Sequence, residues 1–311
     1  AIAQSLPTNV ADINPFIGTG GHGHTHPSAQ APFGMMQLGP NTRYDGWDGC
    51  SGYHYTDSVL LGFSTTHLSG TGVSDYGDFL FRPSRPDGSS LHMLKSTEKA
   101  SAAYYYVELN QGEKLCATAG DRVGILRIIY PAGRPKTLQL DLTHRDQVTL
   151  GLLAEAPHPN ASENGAWQAT RHSKAWATNQ KAHLAFTANQ PASTKEVEDL
   201  IWEFEFLGSS DTVELYLALS GTDTDGAWTN YNSEFTEVPS FDTLHQQSLE
   251  QWEQELGKSI VYHSDSDWRS IYATALYHAY SVPNLWSDAD GRYRGMDDQI
   301  HTDTSNRHYT I

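Results

Sequence analysis

Cysteine is scarce in this sequence. Only Cys50 and Cys116 occur among 311 residues, which excludes a disulfide framework and allows at most one bridge. This count leaves the redox compartment of the protein open.

Long hydrophobic runs are also lacking. No stretch approaches the roughly 18 to 20 apolar residues that are needed to cross a bilayer, so we predict no membrane span. The first five residues lack the basic and apolar regions of a signal peptide, although small residues at this position fit what signal cleavage leaves behind.

Charged residues are few and mostly acidic. They make up 18% of the chain, and 37 Asp and Glu against 20 Lys and Arg give a formal net charge of -17. Nucleic acids and anionic membrane surfaces select Lys and Arg, so neither is an expected partner. The abundant aromatic residues, 8 Trp, 16 Tyr and 10 Phe, suit a protein that handles neutral polar ligands such as sugars.

Strand-like alternation dominates the chain from residue 79 onward. Leu138, Leu140 and Leu142 alternate with polar residues, as in a half-buried strand. The same period of two predicts strands at 202–206 and 213–219, and turn-rich spacers such as 157–160 separate the strands. We therefore predict a mainly β protein, with a large antiparallel β-sandwich domain over residues 1–235.

The pattern becomes helical after Pro239. One helix is predicted over 241–256, with Ser240 as N-cap and Gly257 at its end. A second amphipathic helix, closed by Pro283, is predicted from an apolar stripe of six residues: Trp268, Ile271, Tyr272, Ala275, Leu276 and Ala279. Residues 236–311 therefore form a predicted linker helix and the start of a helical domain. Because each stripe needs a partner, we expect that the helices pack back on the sandwich or that the chain is a fragment of a longer protein.

A glycine-rich segment, 18–27, contains three histidines, His22, His24 and His26. One interpretation is a transition-metal site. The favoured one is a glycine-rich turn whose histidines pack or form hydrogen bonds, because no Cys or His pair at standard zinc spacing completes a ligand set.

Two further segments carry candidate ligand-binding residues. Trp47 lies among small residues, where its indole either faces a sugar or anchors the core; the core anchor is the more common role of an isolated Trp. In segment 284–298, Asp288 and Asp290 do not match the EF-hand pattern, so we interpret them as solvated loop acids. Asp297, beside glycine and arginine residues, can accept two sugar hydroxyls.

A collinear set of segments resembles glycoside hydrolase family 92. The segments are Asn14–Gly20, Ala31–Met35, Gly46–Asp48, Ser51–Tyr55, His67–Gly72, Ala275–His278, Pro283–Leu285 and Asp290–Asp297. The resemblance implies a β-sandwich joined through helices to an (α/α)6-barrel catalytic domain, and an inverting, exo-acting, calcium-dependent α-mannosidase. It also implies a secreted, periplasmic or cell-surface location and α-mannoside glycans of N-glycan or mannan type as partners.

The resemblance places Gly23 and Trp47 in sugar-facing loops and Asp297 at hydroxyls of the terminal mannose, with His22, His24 and Asp298 as neighbours. The catalytic acid and base belong to segments that this sequence does not match, so we assign no catalytic residue and expect the remainder of the chain beyond Ile311 to supply them. Calcium takes oxygen ligands, and we assign no metal ligand here either. The alternatives are a non-catalytic carbohydrate-binding sandwich and a metalloenzyme built on the three histidines.

Overall fold

The computed structural model of this protein describes residues 5–43, 45–156 and 165–310. The spacer predicted at 157–160 and the first four residues lie outside the described residues. The strands, in chain order, are β1 (Leu6–Pro7), β2 (Gly39–Asn41), β3 (Val59–Leu60), β4 (Gly62–Ser64), β5 (Leu80–Pro83), β6 (Leu91–His92), β7 (Lys99–Ser101), β8 (Tyr104–Glu108), β9 (Lys114–Ala119), β10 (Val123–Ile129), β11 (Thr137–Asp141), β12 (Gln147–Glu155), β13 (Ala166–Lys174), β14 (Gln180–Ala188), β15 (Ala192–Glu198), β16 (Ile201–Phe206), β17 (Thr212–Ser220), β18 (Tyr262–His263), β19 (Asn284–Leu285), β20 (Arg292–Arg294), β21 (Ile300–Thr302) and β22 (Tyr309–Thr310). The helices are α1 (Thr224–Glu234), α2 (Phe241–Leu256) and α3 (Ser266–Ala279), with short 3-10 helices at Val10–Asp12, Trp47–Gly49 and Lys95–Thr97.

Two antiparallel sheets form the body of the fold. Eight described strands make the larger sheet, in the order β12-β13-β14-β17-β10-β9-β8-β7. Six make the smaller one, in the order β15-β16-β11-β5-β4-β2. The predicted mainly β, antiparallel architecture is confirmed.

Aromatic side chains from both sheets meet in the core between them. The Phe186 ring, from the larger sheet, makes edge contacts with Phe81 and Phe204 of the smaller sheet at centroid distances of 5.7 Å. Trp167 stacks on Phe186 at 5.4 Å and meets Phe204 edge-on at 5.2 Å. Leu138 and Leu140 are buried in the same core, as their alternation predicts.

The outer face of the larger sheet is covered by α1 and α2. Val123 and Ile125 of β10 pack there against Tyr231, Phe241 and Leu244. This explains why most residues of β10 and β17 are buried and why both strands are rich in apolar residues. The predicted α2 is confirmed: the Ser240 side chain caps it and it ends at Gly257.

Helix α1 lies in the tract that we predicted to be sandwich. Its buried face consists of Gly226, Ala227, Asn230 and Tyr231, so it has no apolar stripe that marks a helix in the sequence. Asp223 caps it by accepting a hydrogen bond from the Gly226 amide at 2.7 Å. The Asp223 cap and packing against the larger sheet therefore stabilise this helix, although its sequence has no helical apolar periodicity.

Helix α3 forms as predicted but buries another face. Ala273 and Tyr277 pack against Trp252 of α2 and Ile13 of the N-terminal segment, while Trp268 and Ile271 are 60% and 52% exposed. The predicted stripe is therefore not the buried face of α3 in the described part of the chain. A hydrogen bond also fixes the N-terminal segment to this buried face, since the Asn14 amide donates to the hydroxyl of Thr274 at 2.9 Å.

Cys50 and Cys116 are both free, buried thiols. Among the described residues, no helix combines the length and the apolar character required to cross a membrane.

Candidate functional site

Gly23 lies in a turn that only glycine fits. A Cβ atom at this position would be 1.9 Å from the carbonyl oxygen of Gly18. The Gly23 amide donates to the Gly20 carbonyl at 3.1 Å, and the Thr25 amide donates to the Gly18 carbonyl at 3.2 Å. The backbone of this loop therefore folds tightly enough to bring the side chains on either side of Gly23 together.

His22, His24 and Trp47 meet at Asp48. The Nδ1 atom of His22 donates to the Asp48 carboxylate at 2.6 Å, and Nε2 of His24 is 3.6 Å from the same oxygen. The His24 ring makes an edge contact with the Trp47 indole at a centroid distance of 4.8 Å. These residues, His22, Gly23, His24, Trp47 and Asp48, form the Trp47 cluster. The hydrogen bond from His22 lowers the pKa of the Asp48 carboxyl, which keeps it ionised.

Trp47 is an exposed platform. Its side chain is 62% exposed, and the indole lies over Gly72, where an added Cβ would be 2.3 Å from the ring. The interpretation of Trp47 as a core anchor is therefore wrong. The outer edge of its six-membered ring lies next to Gly72, and the exposed part of the indole can receive an apolar surface of a ligand.

His26 does not join this cluster. It is buried, and its ring is tilted against that of His67 at a centroid distance of 5.0 Å. Burial lowers the pKa of His26 well below its ordinary value. Of the three histidines of the glycine-rich segment, only His22 is exposed, whereas His24 and His26 are buried.

Asp297 and Asp298 lie on the separate β20–β21 hairpin. The Asp297 carboxylate accepts hydrogen bonds from Nε2 of His301 at 3.0 Å and from the Gln299 amide at 3.1 Å, and the His301 contact lowers its pKa. Asp298 binds the ammonium group of Lys181 at 2.7 Å and the Arg294 guanidinium at 3.2 Å. Asp297 is thus presented at the hairpin turn, whereas Asp298 ties the turn to the sandwich.

Asp288 anchors the chain that leads into this hairpin. It is fully buried and accepts hydrogen bonds from the Ser220 hydroxyl at 2.9 Å and the Asn230 amide at 2.8 Å, as well as from Thr222. Its interpretation as a solvated loop acid is therefore wrong. Burial raises the pKa of the Asp288 carboxyl, and hydrogen bonds partly offset this effect.

Two arginines fasten the hairpin itself. Arg292 donates to the Asp223 carboxylate at 2.8 Å. Arg294 donates to the carbonyl oxygens of Thr222 at 2.6 Å and Gly221 at 3.1 Å. The hairpin therefore sits against the end of β17 and the start of α1, with Asp297 at its tip.

A pocket of about 340 Å³ opens beside the hairpin. It lies between the loop that follows β4, the β13–β14 turn and the β20–β21 hairpin, and we call it the Trp176 pocket. Its lining residues are Leu68, Asp75, Tyr76, Trp176, Ala177, Asn179, Gln180, Lys181, Trp286, Arg294, Gly295, Met296, His308 and Thr310. Sequence reasoning missed this pocket, although a tryptophan in a turn between two strands was an available signal.

A buried network of charged residues lies next to the Trp176 pocket. The fully buried Arg171 guanidinium contacts Asp78 and lies 3.8 Å from the Asp146 carboxylate. The Gln180 amide donates to Asp78 at 2.6 Å, which links the network to the pocket wall. Burial and the neighbouring Asp78 raise the pKa of Asp146 to about 7.

The described residues do not fit a calcium ion. In 5–43, 45–156 and 165–310, no three His, Cys, Asp or Glu side chains are grouped so that they could hold a metal. Calcium requires six to eight oxygen ligands, yet the carboxylates of Asp48 and Asp297 are each engaged by histidine.

Solved structures of family GH92 mannosidases are similar to this protein over nearly the whole of its chain. A family GH92 α-mannosidase from Bacteroides thetaiotaomicron is 29% identical, with a TM-score of 0.85 over 97% of this chain and 45% of its own. Its complex with mannoimidazole aligns at 30% identity, with a TM-score of 0.84 and 44% of its length covered. A family GH92 inverting mannosidase from the same organism is 20% identical with a TM-score of 0.81, which supports the fold alone. The chain thus spans less than half the length of these enzymes.

A curated relative gives a weaker match. An uncharacterized secreted glycosidase of Arthroderma benhamiae is 25% identical over 150 residues, which are 42% of this chain and 19% of that protein.

Two family profiles cover the sequence. The glycosyl hydrolase family 92 N-terminal domain matches residues 12–250, and the family 92 catalytic domain matches residues 226–311. The two matches overlap over 226–250, so the domain boundary near residue 235 stays a prediction. With more than half of its length matched by the first profile, the chain belongs to glycosyl hydrolase family 92.

Proposed function

We propose that this chain forms the sandwich side of the active site of an exo-acting α-mannosidase that inverts the anomeric configuration. The observation that carries the proposal is the likeness, over 97% of the chain, to a solved α-mannosidase that is 29% identical. The mannoimidazole complex of that relative supports a mannoside as the substrate. N-glycans and mannan are the substrates that we infer.

The Trp47 cluster and Asp297 have the chemistry to hold a terminal sugar. Trp47 offers an open indole face to the C–H surface of a pyranose ring. Asp297, kept ionised by His301, accepts hydrogen bonds from two hydroxyls. His22 and His24 orient Asp48 and Trp47, and Asp298 holds the hairpin turn in position. Together these groups bind and orient the substrate.

The proton transfers need other residues. Inversion uses one carboxyl as general acid and a second as general base, about 6.5–9.5 Å apart, with a water molecule between base and sugar. We assign neither role to a described residue, and the match to less than half of the related enzymes leads us to propose that further polypeptide supplies both. The described residues do not fit calcium, so we propose that its ligands come from the same source. We also propose secretion, on the strength of the secreted relative.

Hydrolysis of α-1,2-mannobiose by the full-length protein, followed by proton NMR, tests this function. We expect release of mannose that first appears as the β-anomer, and loss of turnover after calcium is removed with EDTA and its return when calcium is restored. Trp47→Ala should reduce kcat/KM at least tenfold, whereas Leu207→Ala, at an exposed site on the turn after β16, should not change it. Binding of mannobiose without turnover in the presence of calcium would instead support a non-catalytic carbohydrate-binding protein.

A further inference from the structure

The Trp176 pocket adjoins the residue that we place at the terminal sugar. Gly295 and Met296 line the pocket, and Asp297 follows them at the tip of the hairpin. A volume of about 340 Å³ lies within the range of pockets that hold small ligands, roughly 300–1,000 Å³. The pocket is therefore large enough for a ligand group that extends from the terminal sugar.

Trp176 is held in place although it faces solvent. Its side chain is 59% exposed. The turn that carries it is fixed on both sides, because the Ala175 amide donates to the Ala177 carbonyl at 3.0 Å and the Ala177 amide donates to the Asp75 carboxylate at 2.6 Å. An exposed indole on an anchored turn offers a flat apolar surface at little cost in conformational entropy.

The charges around the pocket are paired within the protein. Lys181 and Arg294 both bind Asp298, at 2.7 and 3.2 Å. Asp75 receives hydrogen bonds from the Ala177 and Tyr76 amides, and burial raises its pKa. The buried side chain of Gln180 lies at the wall and adds a polar amide. Paired charges, an amide and two indoles suit a neutral ligand that carries hydroxyl groups rather than an ion.

We propose that the Trp176 pocket is a second sugar subsite, in which a neutral hexose next to the terminal mannose stacks on Trp176. The inference rests on the proposed function, since that function places the terminal mannose beside Asp297. It makes Trp176 a specificity residue for glycans of two or more sugars.

Two substrates with different leaving groups test the proposal on the full-length protein. α-1,2-Mannobiose fills a second subsite, whereas α-mannosyl fluoride leaves it empty. For Trp176→Ala we expect kcat/KM to fall about tenfold on mannobiose and to stay within twofold on the fluoride, because only the disaccharide loses a stacking partner. Trp176→Phe should restore most of the loss, and Leu207→Ala, equally exposed but distant in sequence, should match the wild type on both substrates.

Other outcomes overturn the inference. Equal loss on both substrates would indicate a structural role for Trp176, and unchanged kinetics on mannobiose would remove the subsite. Thermal melting of each variant separates misfolding from loss of binding. If Trp176→Ala melts below the wild type, the kinetics of Trp176→Phe on the two substrates test the subsite instead. If the wild type hydrolyses neither substrate, the proposed function fails, and calorimetric binding of mannobiose to wild type and Trp176→Ala decides the subsite independently.

Discussion

Gly23 tolerates no side chain, because a Cβ atom would lie 1.9 Å from the Gly18 carbonyl. We predict that Gly23→Ala displaces the loop and destabilises the protein by about 1–3 kcal/mol, since overpacking forces backbone shifts. Under the proposed function, kcat/KM on mannobiose falls as well, because His22 and His24 lose their fixed positions. Thermal melting and mannobiose kinetics measure both effects.

Gly20 supplies a matched control for this substitution. It lies in the same loop, and a Cβ there would be 3.6 Å from Tyr55, an ordinary van der Waals contact. Gly20→Ala should therefore leave stability and kinetics close to the wild type. Equal behaviour of the two variants would show that the loop adapts and that Gly23 has no special role.

The raised pKa of Asp146 predicts that the stability of the protein depends on pH. Its pKa is raised to about 7 in the folded protein by burial and by Asp78. The folded state therefore binds this proton more tightly than the unfolded state, so the contribution of Asp146 to the free energy of unfolding falls as pH rises from about 4 to about 7. The steepest slope for one proton is about 1.4 kcal/mol per pH unit.

Asp146→Asn should remove this contribution. Urea unfolding at several pH values is the measurement, and the free energy of unfolding of the wild type should fall relative to that of the variant between pH 4 and 7. For Asp211→Asn, at an exposed site, the free energy of unfolding should change with pH in the same way as that of the wild type. Parallel curves for Asp146→Asn would contradict the raised pKa.

At the scale of elements, the β20–β21 hairpin depends on Arg294. This side chain joins the hairpin to the carbonyls of Gly221 and Thr222 and to Asp298. We predict that Arg294→Ala increases amide hydrogen exchange across 292–302 by about tenfold or more, because hydrogen bonds of a charged donor are lost, each worth roughly 1.5–3 kcal/mol.

Arg134→Ala is the control for the hairpin, since Arg134 is exposed in a turn of the sandwich. Its exchange in 292–302 should equal that of the wild type. If Arg294→Ala also leaves exchange unchanged, Asp288 and Arg292 suffice to hold the hairpin and Arg294 does not position Asp297.

The helices separate what was predictable from what was not. The bounds and caps of α2 follow from Ser240, Gly257 and a helical apolar period, all of which are local features. The position of α3 was also predictable, but its buried face was not, because Trp252 and the N-terminal segment determine it. Helix α1 escaped prediction since its buried Asn230 serves Asp288, 58 residues away.

At the scale of the whole molecule, α3 presents Trp268 and Ile271 at 60% and 52% exposure. The related α-mannosidase is more than twice as long as the matched region, so we predict that the full-length protein has a mass well above 34.4 kDa and covers this face with its own chain. Oxidative labelling of the full-length protein should leave Trp268 protected. Leu207, at 63% exposure and already the control away from the candidate site, is the internal control and should be labelled by hydroxyl radicals; rapid labelling of Trp268 would contradict the prediction.

Periodicity, capping residues and short motifs are local properties, so they predicted the strands at 138–142, 202–206 and 213–219, the two amphipathic helices, the glycine-rich turn around Gly23 and the family. The packing of distant segments determines which candidate residues meet. It placed Trp47 at the surface over Gly72, buried Asp288 against Ser220, and joined Lys181 to Asp298 across 117 positions of sequence. It also created the Trp176 pocket from three segments that are far apart in the chain. Such contacts depend on how the sheets, turns and hairpins pack, and no local pattern encodes that packing.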